Sequence, residues 1–278
     1  MKFQPVIKWS GSKRSQSEEI ISYFPRKINT YYEPFIGGAS ILYQLLHSDI
    51  KVNKYVCSDI NKDLIDLWNM IKGNPTFLSK SYKEMWSELN IDENLDRKKK
   101  YFNIVRKRFN INRQPEDFLF ISRTCVNGKI RYNKKNQFNN SFHVTRKGIE
   151  PKKLTKIIKE WSESLNKYNV QFAHKDIFNI NFKNLDKNDF VYLDPPYAGT
   201  KDLYYGNLEN YNKLWDWLRN CNCKYALSFD GTCGNKDRTY EIPKNIYNRH
   251  KYIYSGLSGF KKLQDKVIEN VKESLYLN

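Results

Sequence analysis

Short runs of strand-forming residues alternate with helical patterns at both ends of the sequence, and this alternation constrains the fold more than any other feature. Near the start, a strand-like run at 30–35 precedes a helical pattern at 40–46, and a run at 54–58 precedes one at 64–72. Such alternation predicts an α/β fold with a mostly parallel sheet covered by helices on both faces. Further strand-like runs lie at 169–173, 190–193, 225–229 and 273–277, and further helical patterns at 15–24 and 208–221.

The charge of the chain points to a polyanionic partner. Its 278 residues carry 48 Lys and Arg against 30 Asp and Glu, a formal net charge of +18. This balance favours nucleic acid, or less often an anionic membrane. No apolar run approaches the roughly 18 residues of a membrane-spanning helix, and the N-terminus lacks an apolar signal core. We therefore expect a cytoplasmic protein that acts on DNA or RNA and not on a membrane.

The five cysteines and four histidines give no metal-binding pattern. The cysteines form no pair of C-x-x-C motifs, and Cys221 and Cys223 form one C-x-C without a nearby histidine. We expect reduced, structural thiols and no bound metal.

The middle of the chain has a different character from its ends. Residues 74–166 begin as charged helical segments, and residues 129–138 have the pattern of a β-hairpin with a basic tip. We predict a catalytic domain formed by residues 1–73 and 167–278, with residues 74–166 inserted as a target-recognition domain. The alternative is a solvated helical excursion of a single domain.

The segment Asp194-Pro195-Pro196-Tyr197 directly follows the strand-like run at 190–193. Ligands of doubly wound sheets bind at such strand ends. The two prolines stiffen the backbone and remove two amide donors, so this turn offers only acceptors. The Asp194 carboxylate and the Pro195 carbonyl suit a flat molecule with an amino group, on which Tyr197 can stack. The alternative is a strand-ending turn with a helix-capping aspartate.

Two further segments near the N-terminus have the chemistry of a nucleotide-like site. Glu33 and Phe35 lead into paired glycines that start with Gly37, where a ligand can approach the backbone beside a helix N-terminus. The spacing is not G-x-G-x-x-G, which disfavours a nicotinamide dehydrogenase. About twenty residues later, Asp59 can bind both hydroxyls of a ribose, or it can cap a helix.

Two more candidate pairs complete the set. Asp176 can accept a hydrogen bond from an adenine amino group, with Phe178 against the ring, or it can be an ordinary capping residue. In the N-terminal loop, the face of Trp9 can cover a sulfonium by cation–π attraction, and Lys13 can pair with a carboxylate or phosphate. A core tryptophan and a surface lysine are the alternative for that loop.

Taken in order, these elements resemble the Dam-like family of DNA adenine-N6 methyltransferases, the D12 class or alpha group. The N-terminal loop, from Lys8 to Lys13, is similar to the family's K-W-x-G-x-K pattern, and D-P-P-Y comes late in both. Within 127–139, N-G, R-Y-N and Q-F-N are similar to the family's N-G-x-x-R-Y-N…E-F-N pattern. There are two departures: the loop reads Ser10-Gly11-Ser12, where a second glycine is usual, and the glycine element reads Gly37-Gly38-Ala39, which lacks the last glycine.

The resemblance implies a Rossmann-like S-adenosylmethionine-dependent methyltransferase sheet with an inserted, mainly helical recognition domain carrying a hairpin. It implies methyl transfer to N6 of an adenine flipped out of double-stranded DNA. The implied catalytic residues are Asp194, Pro195, Pro196 and Tyr197. The implied cofactor contacts are Trp9, Lys13, Asp59 and Asp194, then Glu33, Phe35, Gly37, Asp176 and Phe178. The implied DNA contacts are Arg131, Asn133, Lys134, Lys135, Gln137 and Asn139. Residues 199–205 and the pair Lys261-Lys262 are candidate clamps on the flipped strand.

The hairpin sequence leaves the target site open. Residues 139–143 read N-N-S-F-H, where relatives that methylate GATC usually have N-V-P-F-G. A methylase that shares another adenine-containing site with a companion restriction endonuclease is at least as well favoured. A cytosine-N4 enzyme usually has serine in place of Asp194, and the resemblance does not support an RNA or protein amine methyltransferase. The alternative from another class is a catalytically decayed, sequence-specific DNA-binding module.

Overall fold

The computed structural model describes residues 4–181, 184–197, 211–233, 236–237, 239–257 and 270–278. The chain divides into two compact units. The first, which we call the helical unit, contains residues 4–12 and 61–174. The second, which we call the sheet unit, contains residues 13–60 and the described residues from 175 onward.

The sheet unit is built on a mixed sheet, with three parallel and three antiparallel strand pairs among the described residues. Its strands are β1 (Lys27–Glu33), β2 (Lys51–Asp59), β4 (Phe190–Leu193), β5 (Lys224–Cys233), β6 (Lys236–Asp237), β7 (Arg249–Leu257) and β8 (Asn270–Leu277), while β3 (Gln171–His174) is counted with the helical unit. Strands of the sheet unit lie in the order β2-β1-β4-β5-β8-β7, with β6 on β5. The pairs β1–β2, β1–β4 and β4–β5 are parallel, and β8 is antiparallel to β5 and β7.

Aromatic and aliphatic side chains fill the core of the sheet unit. All four residues of β4 are buried, as expected of a central parallel strand covered on both faces. Phe24 packs on Phe190 with ring centroids 4.4 Å apart. In the described part of this unit, the α-helices are α1 (Ser17–Ser22), α2 (Ser40–Leu46) and α8 (Tyr211–Arg219). Leu214 and Leu218 of α8 are buried in a cluster that includes Leu227 of β5.

The helical unit contains α3 (Lys62–Gly73), α4 (Pro75–Leu89), α5 (Leu95–Asn112), α6 (Pro115–Thr124) and α7 (Pro151–Lys167). Polar side chains cap several of these helices, for example Asn61 at α3 and Glu150 at α7. Trp68 and Trp161 are fully buried and contact each other, with ring centroids 4.9 Å apart. The N-terminal segment joins this core, because Trp161 Nε1 donates to the carbonyl of Gln4 at 3.1 Å.

The prediction of an α/β fold is confirmed: β1, β2, β4 and β5 pair in parallel as expected, whereas the pairs made by β6, β7 and β8 are antiparallel. The expected strands and helices are present with bounds shifted by a few residues, and residues 208–210 of the last helical pattern lie outside the described residues. Strand β7 had no clear sequence signal. Among the described residues, no helix is both long and apolar enough to cross a membrane.

Candidate active site

Three acidic residues mark the carboxyl ends of neighbouring parallel strands in the sheet unit. Glu33 is the last residue of β1 and Asp59 the last of β2, while Asp194 follows Leu193 at the end of β4. Because β1 pairs in parallel with both β2 and β4, these ends lie at one edge of the sheet. Open α/β sheets bind their ligands at this edge. The three acids therefore locate the candidate active site.

Asp194 belongs to a cluster of four side chains, Lys13, Asp194, Tyr197 and Glu273, which we call the acid–lysine cluster. Lys13 Nζ lies 2.8 Å from Asp194 Oδ1 and 3.1 Å from Glu273 Oε2. Lys13 also donates to the Tyr197 hydroxyl at 2.8 Å, and that hydroxyl donates to Glu273 Oε2 at 2.7 Å. The Lys13 side chain is only 4% exposed, so its charge depends on the two carboxylates for compensation.

Burial and mutual attraction set the charges of the acid–lysine cluster. Burial raises the pKa of Asp194 to about 6, with Lys13 opposing the rise and Glu273 adding to it. Burial alone would raise the pKa of Glu273 as well, but Lys13 and hydrogen bonds from Tyr197 and Ser255 lower it. Burial disfavours the charge on Lys13, yet both carboxylates together raise its pKa. At neutral pH the cluster therefore contains one cation and two carboxylates.

The turn after β4 is held from several sides. Pro195 is buried, and the carbonyl of Pro196 accepts a hydrogen bond from the Tyr211 hydroxyl at 2.9 Å. The Tyr197 ring packs edge-on against Phe229 with centroids 5.7 Å apart. Burial and the nearby carboxylates raise the pKa of Tyr197 well above its usual value, so its hydroxyl keeps its proton. The turn predicted from two prolines is thus fixed by packing and hydrogen bonds as well.

Glu33 is a buried acid close to this turn. Its side chain is 3% exposed and accepts a hydrogen bond from the Tyr31 hydroxyl at 2.8 Å. Burial raises the pKa of Glu33 well above its usual value despite that hydrogen bond, and the charge of Asp194 adds to the rise. Burial therefore favours the protonated form of Glu33, which can donate a hydrogen bond of its own.

The glycine turn after β1 binds the carboxylate at the end of β2. Gly37 N donates to Asp59 Oδ2 at 3.2 Å, and Gly37 has a φ of 45°, a left-handed conformation that favours glycine. Ala39 also has a positive φ, 56°, where the resembled family usually has glycine. The cap of α3 is Asn61, whose Oδ1 accepts from Leu64 N at 3.0 Å. Gly37 thus holds the Asp59 side chain, and Asn61, not Asp59, is the residue that caps α3.

Phe178 lines a cavity of about 390 Å³ in the sheet unit. Lys213 Nζ lies 4.3 Å from the centroid of the half-buried Phe178 ring. Asp176 Oδ1 accepts from Phe178 N at 2.9 Å, so it caps the short 3-10 turn that carries the ring. The cavity is lined by Phe178, Asn179, Ile180, Asn181, Lys213, Asp216, Trp217 and Asn220. This mixture of two aromatic side chains with amide and charged groups suits a polar aromatic ligand.

The remaining candidates for cofactor contacts are Phe35 and Trp9, which belong to different units of the structure. Phe35 is half-buried and packs against the hydrophobic core of the sheet unit. Trp9 is half-buried and belongs to the helical unit, whereas Lys13 belongs to the sheet unit.

The predicted hairpin is a bridged loop of the helical unit without regular strands. Isolated antiparallel bridges join Tyr132 to Phe138 and Cys125 to Phe142. The Tyr132 hydroxyl donates to Asp63 Oδ2 of α3 at 2.5 Å, which anchors the loop.

The candidate DNA contacts divide into two groups within this loop. Asn133 and Asn139 shape it: Asn133 Oδ1 accepts from the backbone of Lys135 and Gln137, and Asn139 Oδ1 accepts from Arg131 Nε at 2.9 Å. The other four side chains are exposed, namely Arg131, Lys134, Lys135 and Gln137.

The candidate clamps on a flipped strand, residues 199–205 and Lys261-Lys262, lie outside the described residues. Among the described residues, no group of three or more His, Cys, Asp or Glu side chains is arranged to hold a metal ion.

Glu273 is the member of the acid–lysine cluster that the sequence did not reveal. It lies on β8, two residues after Val271 and directly before the buried run 274–277. A lone glutamate that leads an apolar terminal strand is a weak signal, because its partners Lys13 and Tyr197 are far away in the sequence.

The half-buried Asp194 carboxylate begins a proline turn at the carboxyl end of a parallel strand. This arrangement is that of an α/β protein with a polar ligand site at the edge of its sheet. Comparison with known proteins gives the family. The family model described as D12 class N6 adenine-specific DNA methyltransferase matches residues 9–256. The chain belongs to this family.

Individual relatives agree with this assignment. The DNA adenine methylase of Haemophilus influenzae is 31% identical over 204 residues, which are 71% of this chain and 65% of that protein. The type II methyltransferase M.MjaIII of Methanocaldococcus jannaschii is 32% identical over 212 residues, covering 71% of this chain and 70% of that protein. The type II methyltransferase M.FokI of Planomicrobium okeanokoites is 28% identical, covering 80% of this chain. The chain spans about two thirds of the first two relatives and 35% of M.FokI.

Proposed function

We propose that this protein transfers a methyl group from S-adenosylmethionine to N6 of a specific adenine in double-stranded DNA. The observation that carries the proposal is the half-buried Asp194 carboxylate, which begins the Pro195-Pro196 turn at the end of β4 and pairs with Lys13. Membership of an adenine-specific methyltransferase family supports the same reaction.

The residues of the sheet unit fit the cofactor. Asp59, held by Gly37 at the end of β2, has the carboxylate that a ribose requires. Phe178 and the polar groups around its cavity suit an adenine ring. When bound, S-adenosylmethionine supplies an electrophilic methyl group on a sulfonium. Glu33, Phe35, Gly37, Asp59, Asp176, Phe178 and Asp194, with Lys13 and Trp9, are the residues that we propose hold it.

Asp194 and Pro195 act on the amino group of the substrate adenine. The lone pair of this nitrogen is delocalised into the ring, which makes it a poor nucleophile. The Asp194 carboxylate and the Pro195 carbonyl accept its two hydrogens and stabilise the positive charge that develops on N6. This role requires the ionised form of Asp194.

The adenine amino group is inaccessible to such a pocket while the base is stacked in a duplex. The base therefore flips out, at an expense of a few kcal/mol, and the Tyr197 ring provides a replacement stack. Arg131 and Gln137 read base edges in the major groove, and Lys134 and Lys135 contact phosphates. A companion restriction endonuclease that recognises the same site is a proposed partner, and the cytoplasm is the proposed location.

The experiment that tests this function is single-molecule sequencing of plasmid DNA from a methylation-free host that expresses the protein. We expect N6-methyladenine at one recurring motif, and no modification with Asp194→Ala. Methylation at GATC would show that recognition of this site tolerates the differences of residues 139–143 from the usual N-V-P-F-G. Methylation at another motif would support a role in restriction–modification. Soluble protein that binds DNA without modifying any adenine would refute the proposal and favour the decayed DNA-binding module.

A further inference from the structure

Glu273 contacts two of the groups that the proposed reaction uses, although it lies far from them in the sequence. Its Oε2 accepts from the Tyr197 hydroxyl at 2.7 Å and lies 3.1 Å from Lys13 Nζ. Lys13 in turn contacts Asp194 at 2.8 Å. Glu273 therefore acts on Asp194 through Lys13 and on the Tyr197 ring directly.

Glu273 is itself held from the other side. The Ser255 hydroxyl of β7 donates to Glu273 Oε1 at 3.2 Å, and the carbonyl of Ser255 accepts from the Ser15 hydroxyl at 3.2 Å. Strands β7 and β8 pair on both sides of Ser255, which lies at a register shift between Tyr254 and Gly256, and Glu273 pairs with Ile253. The Glu273 side chain is only 18% exposed, and these protein groups hold it in place.

The charge balance of the acid–lysine cluster depends on Glu273. With both carboxylates ionised, one unit of negative charge remains after Lys13 is compensated. Without Glu273, the Lys13 ammonium would neutralise Asp194 alone, and the carboxylate that faces the adenine amino group would have less charge to offer. The Tyr197 hydroxyl would also lose its acceptor, and the ring would lose one of the constraints on its orientation.

We infer that Glu273 is a positioning residue for the methyl transfer: it shares the Lys13 ammonium with Asp194, so that Lys13 does not fully compensate the Asp194 carboxylate, and through its hydrogen bond it orients the Tyr197 ring. This inference rests on the proposed function. Misplacing a catalytic group by about 1 Å can lower a rate by about a hundredfold, so the effect falls on the rate of transfer more than on binding.

The groups that face Glu273 also make a specific pH signature possible. The titratable groups around it are Lys13, Asp194 and Tyr197, with Tyr192 of β4 and Glu33 of β1 close to Asp194. The negative charge of Glu273 raises the pKa of Asp194. Neutralising Glu273 should therefore move the acidic limb of the rate profile to lower pH, which a purely structural role would not do.

The test is the single-turnover rate of methyl incorporation into duplex DNA from tritiated S-adenosylmethionine, measured with the full chain between pH 5 and 8.5. The DNA contains the site found by sequencing. For Glu273→Gln we expect a rate lower by about 10- to 100-fold. The acidic limb should move to lower pH, and the Kd values for DNA and cofactor should change less than about threefold. Glu273→Asp keeps the charge and should retain a higher rate and the wild-type limb.

The matched control is Glu18→Gln, an exposed glutamate on α1 of the same unit, which should behave as wild type. A Glu273→Gln rate and pH profile equal to wild type would overturn the inference while leaving the methyltransferase function intact. Loss of cofactor binding together with a wild-type acidic limb would also overturn it. If Glu273→Gln does not fold, Glu273→Asp decides: its shorter side chain moves the carboxylate away from Tyr197 and Lys13, so a rate below wild type with full DNA binding supports the inference and a wild-type rate overturns it. An inactive wild-type protein would instead refute the proposed function itself.

Discussion

At Asp194, burial and a neighbouring lysine act in opposite directions on one carboxyl group. Burial favours the neutral acid, whereas Lys13 at 2.8 Å favours the carboxylate. The resulting pKa of about 6 is close enough to neutral pH to govern activity under ordinary conditions. The proposed reaction needs the carboxylate, because only the ionised form accepts hydrogen bonds with both oxygens.

We therefore predict that the rate of methyl transfer falls as the pH drops through about 6. Well above this pH the Asp194 carboxyl is ionised and the rate should be level. Well below it, each unit of pH should lower the rate about tenfold, because the ionised fraction falls tenfold. Single-turnover rates with saturating DNA and cofactor measure this. A rate that stays constant between pH 5 and 8 would contradict the assignment of Asp194.

Residues in local motifs were predictable from the sequence, and residues that meet only in the fold were not. Asp194 and Tyr197 stand in one segment of four residues, so the sequence alone predicted that they belong to one site. Glu273 reaches the same cluster only because β8 pairs with β5 from the far end of the chain. The capping role of Asn61 also required the backbone of α3, since Asp59 and Asn61 are equally good caps by composition.

At the scale of elements, the basic segment 129–138 was predicted as a hairpin, and the structure gives it one antiparallel bridge, between Tyr132 and Phe138, without regular strands. Two backbone hydrogen bonds flank the bridge, from Asn133 N to the carbonyl of Gln137 at 2.9 Å and from Asn139 N to the carbonyl of Arg131 at 3.0 Å. Asparagine side chains add to them: Asn133 accepts two backbone hydrogen bonds, and Asn110 of α5 pairs with the backbone of Phe138. The alternation in the sequence indicated that the chain reverses direction, but not that asparagine side chains share in holding the turn.

This loop gives a prediction for Lys134 and Lys135, which are exposed at its tip. Replacing both by alanine should make the log–log salt slope of DNA binding shallower by about 0.9 for each phosphate that the protein no longer neutralises. Affinity should fall similarly for specific and nonspecific DNA. Fluorescence anisotropy between 50 and 200 mM salt measures the slope. Lys51 and Lys54, exposed on β2, are the matched control pair, and an equal change in both double variants would refute a localised contact.

At the scale of the whole molecule, the chain contributes to the two units in alternating segments. Residues 4–12 belong to the helical unit, 13–60 to the sheet unit, and 61–174 to the helical unit again. Val6 and Ile7 are each 1% exposed, and Arg123 Nε donates to the carbonyl of Val6 at 2.6 Å. The sequence indicated an inserted middle, but nothing local indicated that residues 4–12 pack with it.

We predict that Val6→Ala combined with Ile7→Ala lowers the stability of the helical unit by about 3–6 kcal/mol, through reduced burial and the cavities left behind. Hydrogen exchange should accelerate in peptides from 61–174 more than in β1 and β4. The control is Ile91→Ala with Ile111→Ala, whose side chains are 68% and 70% exposed. Those changes should alter stability by no more than about 1 kcal/mol in total. Equal exchange in both double variants would contradict the packing of the N-terminal segment.

The pairing of β1 with β4 has a consequence for how the protein is made. Thr30 N of β1 donates to the carboxylate of Asp189, next to β4, across 159 residues of sequence. A ribosome adds about 5–20 residues per second, so β1 emerges about 10–30 s before its partner is available. Residues 61–174 are translated within that interval and can fold before β4 is available to pair with β1. During this time the edge of β1 that later binds β4 is unpaired, and chaperones protect such strand edges from pairing with other chains.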